Sequence, residues 1–547
     1  MIDYKGLIER FKIMRPKMYL LPTVFLLSLL TSCKNSDERS TVVDKPITIQ
    51  PVDSSTACIS GQEAGPYQRF YRPQQGFVGD PMPYYNASDK KFYLFYLYEN
   101  ANRHPIYSTR TSDFGTFEGY TEVLSSGAVG SQDEWIGTGS FIKKGTVYYC
   151  FYTGHNSVFT PAEKIMLATS TDLMNWTKQP VMALQAAVGY DRNNFRDPHV
   201  YWDESRNAYV MLVTTRKDGK GILARYQSTD LSSWSMIEPL VATTGTVEKY
   251  GIETDAELLE CPDLFKMGNK WYLLFSRINR DEHRKTFYRI ADSPDGPWMI
   301  CRDAEGHHET FDGLYLYAGK TASDGTTRYL SGWCSTGQTV NNNNELPWAG
   351  NLISHQLVQG ASGRLYPKIP EALNSKFNKE VAFEKLSNVG QVSESNKTYS
   401  LTAQSGGRSY AQFNRNTSSV KMTMTIDASQ SSKFGFSFGA CDDPTEVYSI
   451  AFDLTSSNRW NMPALFMNKE ARNGGGSKTA LNFTPLTVPT NRIFNLKISI
   501  EKSICVVYVN DRVAFTNRIY KMDQNPWTIF VDQGTVTVNG LKVEKSS

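Results

Sequence analysis

A chain of 547 residues exceeds one ordinary domain, so two domains and a tail are expected. Its 58 basic and 55 acidic residues leave a formal net charge of +3 with no long block of one sign, which excludes a nucleic-acid footprint and points to a neutral partner. Aromatic residues make up 12% of the chain, a level that suits an all-β core and equally a carbohydrate cleft, where flat rings cover sugar faces.

The chain opens with an address. Arg15 and Lys17 precede the apolar run MYLLPTVFLLSLL, which is too short for a transmembrane span and has the length of a signal-peptide core. It ends at Leu30-Thr31-Ser32-Cys33, a tetrad that resembles the bacterial lipobox, in which cleavage leaves the cysteine as the lipidated first residue. Residues 1–33 are therefore expected to be a lipoprotein signal peptide with Cys33 as the lipidation site. Residues 34–66, polar at their start (KNSDERSTVVDKP), read as a flexible tether. The location that follows is the cell envelope, lipid-anchored to the outer membrane, with no other membrane contact; an uncleaved signal anchor is the alternative. The other seven cysteines are scattered without a disulfide framework or zinc spacing, so buried free thiols are expected. No metal or cofactor is called for, and His307-His308-Glu309 reads as loop.

From residue 67 a pattern recurs. DPMPYYNASDKKFYLFYLY from Asp80, DPHVYWDESRNAYVMLVTT from Asp197 and CPDLFKMGNKWYLLFSR from Cys261 share one plan: a carboxylate beside proline, a short strand, a polar turn and a strongly apolar second strand. SFIKKGTVYYCFYTG from Ser140 and LYLYAGKTASDGTTRYLSGWC from Leu314 repeat the hairpin with other openings. A Ser/Thr-Asp turn ahead of an aromatic that can plug the gap between sheets follows in TSDFGTFEGY, TSTDLMNW, QSTDLSSW and ADSPDGPW. Repeated sheets that cannot cover their own faces stack radially, so the fold class is all-β, with a five-bladed β-propeller over residues 67–370. Short alternating runs such as VKMTMTID, FGFSFG and GTVTVNGLKVE then predict a C-terminal β-sandwich over residues 386–547.

Asp80 lies in GFVGDPMPYY, and Asp beside Gly and Pro is ordinary turn chemistry. The repeat changes that reading. Asp80, Asp197 and Glu260 occupy equivalent places at the start of three innermost strands, and in a propeller those places converge on the axis. Like charges in one site repel, which raises at least one pKa, as an acid catalyst working near neutral pH requires.

Phe195-Arg196-Asp197-Pro198 and Glu260-Cys261-Pro262-Asp263 resemble, in order, the Arg-Asp-Pro and Glu-Cys-Pro motifs of glycoside hydrolase family 32, the β-fructosidases. Asp312-Gly313, Tyr317-Ala318 and Arg328 through Gly332-Trp333 are similar to that family's fifth-blade signature. WAGNLISHQLVQGASGRLYPKIP, from Trp348, resembles the segment that leaves the propeller, and FNLKISIEKSICVVYVNDRVAFTNRIY, from Phe494, its C-terminal sandwich. The resemblance implies a retaining hydrolase of fructosyl linkages in levan, inulin or sucrose-type substrates. It implies that Asp80 is the nucleophile, Glu260 the general acid/base and Asp197 the transition-state stabiliser. Arg196, Trp135, Asp312 and Trp333 would contact an oligo- or polysaccharide substrate, in a monomer. Arg196 could equally form a structural ion pair, and Trp135 could line the cleft or cap a blade.

The first motif departs from the family. Gly79 stands where the family has Asn, Met82-Pro83 replace Asn-Gly, and Leu97 replaces a downstream Gln. A site that binds hydroxyls through amides discriminates strongly, so these replacements bear on which sugar fits. Two rival readings follow: a surface glycan-binding protein on the same scaffold, and an arabinan- or xylan-active propeller hydrolase.

Overall fold

The computed structural model of the chain describes residues 67–100, 103–240, 258–278, 285–337, 346–416, 419–438, 446–458, 461–475, 478–522 and 525–546. The signal peptide, Cys33 and the tether of residues 34–66 lie outside the described residues.

The apolar second strands of the hairpins show no period of two because both of their faces are covered. Lys91–Glu99 is buried from Phe92 through Tyr98, and Ala208–Lys217 from Ala208 through Thr215. Each lies inside an antiparallel meander pressed between neighbouring meanders. Trp135–Lys144, Val147–His155, Glu163–Ser170 and Thr177–Lys178 form one four-stranded sheet. Phe195–Asp203, Ala208–Lys217, Lys220–Ser228 and Ser235–Ile237 form another, and Leu258–Met267, Lys270–Ile278 and Lys285–Ala291 a three-stranded one. The first and last meanders fuse into one eight-stranded sheet, because Gly350–Gln359 pairs with Arg328–Ser335 and also bridges Val78 through Gly350.

The inner strands touch in sequence. Phe77–Asn86 packs on Trp135–Lys144, that strand on Phe195–Asp203, then on Leu258–Met267, then on Tyr317–Ser323, which returns to Phe77–Asn86. Joining the two ends of the chain's first domain in one sheet closes this ring and removes two strand edges that would otherwise be free to pair.

The Ser/Thr-Asp turns are built alike. Thr111, Ser170 and Ser228 hydroxyls accept backbone N–H groups two and three residues on, and Asp113, Asp172 and Asp230 cap the N–H groups that follow. The turn throws one residue into the left-handed region at Phe114, Leu173 and Leu231, with φ of 60°, 67° and 69°. Those three side chains are fully buried, so the plug between sheets is the residue directly after the aspartate. The expected aromatics Trp176 and Trp234 pack beside it, half-buried, whereas in the fourth turn the expected aromatic, Trp298, is itself fully buried.

The second domain is one 13-stranded sheet folded into two layers. Ser419–Phe438 and Trp527–Ser546, each 20 residues long, pair with one another through several register shifts. Bulges of this kind bend and twist a strand, which lets the same pair serve both layers. Phe377–Glu380 already pairs with Trp527–Ser546, so the sandwich sheet takes in residues ahead of 386. Gly306–His308 is likewise a short strand paired with Cys301–Asp303, where loop was expected. Cys150, Cys261, Cys301, Cys334 and Cys505 are free and buried.

Buried polar groups tie the domains together. The Glu501 carboxylate accepts the N–H groups of Gln68, Arg69 and Phe70, and the buried Arg518 guanidinium donates to Ser335 O, Cys334 O, Asn351 and Ser503. Asp312, expected at the substrate, lies in this seam instead and is 2% exposed. Its oxygens accept Thr516 N and Oγ1, each at 2.6 Å, and His355 Nε2 at 3.0 Å. An amide cannot accept from all three donors. Asp312→Asn is therefore expected to cost about 2–3 kcal/mol of stability while leaving KM within about twofold. Thermal unfolding beside steady-state kinetics checks this; a raised KM at unchanged stability would return Asp312 to the substrate.

Candidate active site

Each inner strand breaks register at the same level. Asp80 and Pro81 stand opposite one residue of the next strand, as do Asp197 and Pro198, Cys261 and Pro262, and Ala318 and Gly319; Thr138 is the extra residue of the second sheet. A bulge re-aims its side chain out of the pleat, and a proline there removes no ladder hydrogen bond. This is why the sequence carries carboxylate-proline pairs. Asp197, Cys261 and Ala318 take φ of 56°, 51° and 54°, a conformation that costs non-glycine residues free energy and is held by the packing around it.

Asp80 and Asp197 sit on their bulges, whereas Glu260 pairs with Ser276 one residue ahead of the Cys261 bulge, so the expected equivalence of the three places holds for the two aspartates only. All three carboxylates still meet around one axis, held by neighbouring meanders. Asp80 Oδ2 accepts from Thr138 Oγ1 at 2.6 Å and Oδ1 from Trp333 Nε1 at 2.8 Å. Asp197 Oδ2 accepts Cys261 N at 3.0 Å, while its own N–H donates to Thr153 Oγ1 at 2.9 Å. Glu260 Oε1 accepts Arg196 Nη2 at 2.8 Å and Nε at 3.2 Å, and Oε2 accepts Tyr317 OH at 2.6 Å. Arg196 also reaches Glu163 at 3.3 Å, so it is a bridge between carboxylates. Trp333 and Tyr317 meet edge to face with centroids 5.5 Å apart, linking the partners of Asp80 and Glu260.

Electrostatics follow from this crowding. Burial raises the Asp80 carboxyl, the Glu260 charge adds to that, and the hydrogen bonds from Thr138 and Trp333 oppose it. Burial likewise pushes Asp197 up to about 7, with Arg196 opposing and the Glu260 and Asp80 charges adding. Burial alone would lower Arg196, but Glu260, Glu163 and Asp197 outweigh it and keep the guanidinium charged. Asp80 and Asp197 thus hold protons more tightly than isolated carboxylates do.

The same shift makes a stability prediction. Asp197 binds its proton more tightly folded, at about 7, than unfolded, near 3.8, so ν for the native state is larger between those values. The stability that accompanies the protonated carboxyl is fully present below about pH 4 and is lost as pH rises through about 7. Asp80, shifted in the same direction by the same cause, adds to the slope. Asp197→Asn is expected to flatten this loss and to be a few kcal/mol more stable than the parent at about pH 8, at roughly 1.4 kcal/mol per pK unit. Urea unfolding at about pH 5 and about pH 8 measures it; equal slopes in the two proteins would contradict it.

Of the other expected substrate residues, Arg196 and Trp333 are in the cluster. Trp135 begins its inner strand at the rim, 40% exposed and edge-on to His104, with centroids 5.2 Å apart. Thr138, Thr153 and Glu163 were given no site role by sequence reasoning, and Tyr317 was read only as part of the fifth-blade signature. Thr138 and Tyr317 could have been found by extending the repeat alignment to the two hairpins whose openings lack a carboxylate. Among the described residues one further group, Asp303, Glu305 and His308, brings possible metal ligands within 4.8 Å of one another. Both Glu305 oxygens are taken by Arg364 and Arg512, and Asp303 by His308 and Ser362, so the chemistry of the group is that of an ion-pair network.

The model of the glycosyl hydrolases family 32 N-terminal domain matches residues 70–364, and that of the C-terminal domain described as GH32, BT1760-like, matches residues 363–543. Sucrose-6-phosphate hydrolase of Escherichia coli is 25% identical over 317 residues, 55% of this chain and 63% of that enzyme. The enzyme of the same name from Zymomonas mobilis is 27% identical over 222 residues, 37% of this chain and 41% of that enzyme. The chain thus spans less than two thirds of the length of these curated relatives. Among solved structures, sucrose-6-phosphate hydrolase from Lactobacillus gasseri superposes with a TM-score of 0.66 at 15% identity, covering 90% of this chain and 94% of that one. The shared fold is a β-propeller followed by a β-sandwich.

Proposed function

The chain belongs to glycosyl hydrolase family 32, and we propose that it is a retaining hydrolase of fructosyl linkages in fructans or sucrose-type substrates. The observation that carries this reading is the arrival of Asp80 and Asp197, each on the bulge of its inner strand, and of Glu260, one residue ahead of the bulge of a third, at one axis. The ring of inner strands supports counting five blades around that axis.

Retaining glycosidases hold two carboxyls about 5 Å apart and work by double displacement. An Asp80 oxygen attacks the anomeric carbon of the fructosyl unit while Glu260 gives its proton to the departing glycosidic oxygen. The C–O bond breaks, a fructosyl ester forms on Asp80, and Glu260 is left ionised. Glu260 then takes a proton from water, whose oxygen attacks the same carbon and releases Asp80. Arg196 and Tyr317, both on Glu260, stabilise the ionised stage. Asp197, ionised, accepts hydrogen bonds from ring hydroxyls that tighten as oxocarbenium charge grows, and only such differential binding accelerates the step. Trp333 and Thr138 fix the lone pairs of Asp80 for in-line attack.

Incubation with levan, inulin, sucrose and arabinan tests the reading. Reducing sugar from one of the three fructosides is the expected result. Release from arabinan alone, or calorimetric binding of glycans with no turnover, would overturn it. The lipobox-like tetrad supports a place for this activity at the cell envelope, anchored through Cys33 to the outer membrane; Cys33→Ala is expected to move the protein from the membrane to the soluble fraction.

A further inference from the structure

Glu163 takes no step in the double displacement, yet it is 7% exposed and its carboxylate is directed at the turn that presents Arg196. It opens the strand Glu163–Ser170 of the second sheet, and its Oε2 accepts Phe195 N at 2.7 Å and Arg196 Nη1 at 3.3 Å from the third. One carboxylate thus holds both the backbone ahead of Arg196 and the guanidinium itself. Two amides tighten the same joint: Asn193 Oδ1 accepts Ala162 N at 3.2 Å, and Asn194 Oδ1 accepts Arg196 Nη1 at 3.0 Å. The other Glu163 oxygen, Oε1, faces His155 Nδ1 at 3.5 Å.

The guanidinium is divided by its edges. Nη2 and Nε donate to Glu260 Oε1, and Nη1 is left for Glu163. The Asp197 charge also acts on Arg196. Glu260 is faced in turn by Arg196 and the Tyr317 hydroxyl, and its charge is felt by the Asp80 and Asp197 carboxyls and the Cys261 thiol. Within this set Arg196 favours the ionised form of Glu260, and a negative charge on the far edge of the guanidinium weakens that pull. An acid has to keep its proton until the glycosidic oxygen takes it, so an arginine with no second partner would work against Glu260. Glu163 supplies the partner in a buried place, where salt screens charge poorly.

We propose that Glu163 is a positioning residue for the acid: by holding the far edge of Arg196 and offsetting its charge, it sets how far into the alkaline range Glu260 stays protonated. The inference rests on the fructoside reading for its substrate and on Glu260 as the group that protonates the leaving oxygen. Glu163→Gln isolates the charge. Its amide oxygen can take the place of Oε2 and accept from Phe195 N and Arg196 Nη1, while its NH2 faces His155, whose ring nitrogen accepts in one tautomer. The geometry is kept and the offset is gone, so Glu260 loses its proton at lower pH.

The test is the pH profile of kcat/KM for the parent, Glu163→Gln and Glu163→Asp on whichever fructoside the parent hydrolyses. Thermal unfolding and a 13C NMR titration of the Glu260 carboxyl in glutamate-labelled protein accompany it. In Glu163→Gln the alkaline limb is expected about one pH unit below the parent's, so that the ratio of parent to variant kcat/KM grows about tenfold across the limb. Glu163→Asp keeps the charge on a shorter arm and is expected to place the limb between the two. A limb that stays put or moves to higher pH in Glu163→Gln, or a ratio constant at every pH, overturns the proposal. If Glu163→Gln fails to fold, the Asp variant decides: a Glu260 midpoint below the parent's supports the proposal, and a coincident one overturns it. If the parent hydrolyses no fructoside, the functional reading fails and the NMR titration of Glu163→Gln decides this one by the same two outcomes.

Discussion

Asp80→Asn is expected to lower kcat by about four orders of magnitude or more with the fold intact. An amide oxygen can still accept from Trp333 Nε1, and the Thr138 hydroxyl can turn to accept from the new NH2, so both hydrogen bonds have a partner. The residue that burial and the Glu260 charge disfavour as an anion becomes neutral. The variant should therefore unfold at the same temperature or higher than the parent while lacking the atom that forms the ester. Calorimetry beside a fructoside assay separates these effects. Residual activity within about tenfold of the parent would remove Asp80 from the nucleophile's role.

Glu260→Gln is expected to cost about 10²–10⁴ in kcat/KM on natural linkages, the usual worth of a positioned general acid. Its effect should depend on the leaving group. A fructosyl fluoride departs without protonation, so its fructosylation step should fall far less, and added azide should accelerate the second step by attacking without a general base. Some loss has another source: Arg196 is shared between Glu260 and Glu163, and a neutral partner leaves the buried guanidinium with less compensation. Equal losses on fluoride and natural substrate would mean that Glu260 acts mainly by holding Arg196.

Asp80 and Asp197 were legible because each repeats a local pattern, an acid beside proline opening a strand, and Glu260 because it stands one residue ahead of the corresponding Cys261-Pro262 in the third hairpin. What holds them was not legible. Thr138 and Trp333 reach Asp80 from 58 and 253 residues away, and Tyr317 reaches Glu260 from 57. Such contacts join meanders far apart in the chain and leave no periodic trace. Asp312 misled for a related reason: its nearest sequence signals belong to the propeller, while its partner Thr516 lies 204 residues on in the sandwich. The loss of the first motif's amide was visible at Gly79, yet the ring that fills its place comes from Trp348, a residue read only as the start of the segment leaving the propeller. The sandwich boundary was read late because Phe377–Glu380 is short and exposed beyond Phe377, so it lacks the alternation that marked the strands after it.

The central claim is that Asp80 forms a covalent bond to the fructosyl unit that Glu260 helps to release. Quenching Glu260→Gln with acid during turnover of a fructosyl fluoride, followed by peptide mass spectrometry, tests it most directly. The account predicts one added hexosyl unit on the peptide that contains Asp80, absent from the Asp80→Asn, Glu260→Gln double variant. A burst of fluoride release with the sugar on another peptide, or steady turnover that gives a first product of inverted configuration, would contradict it.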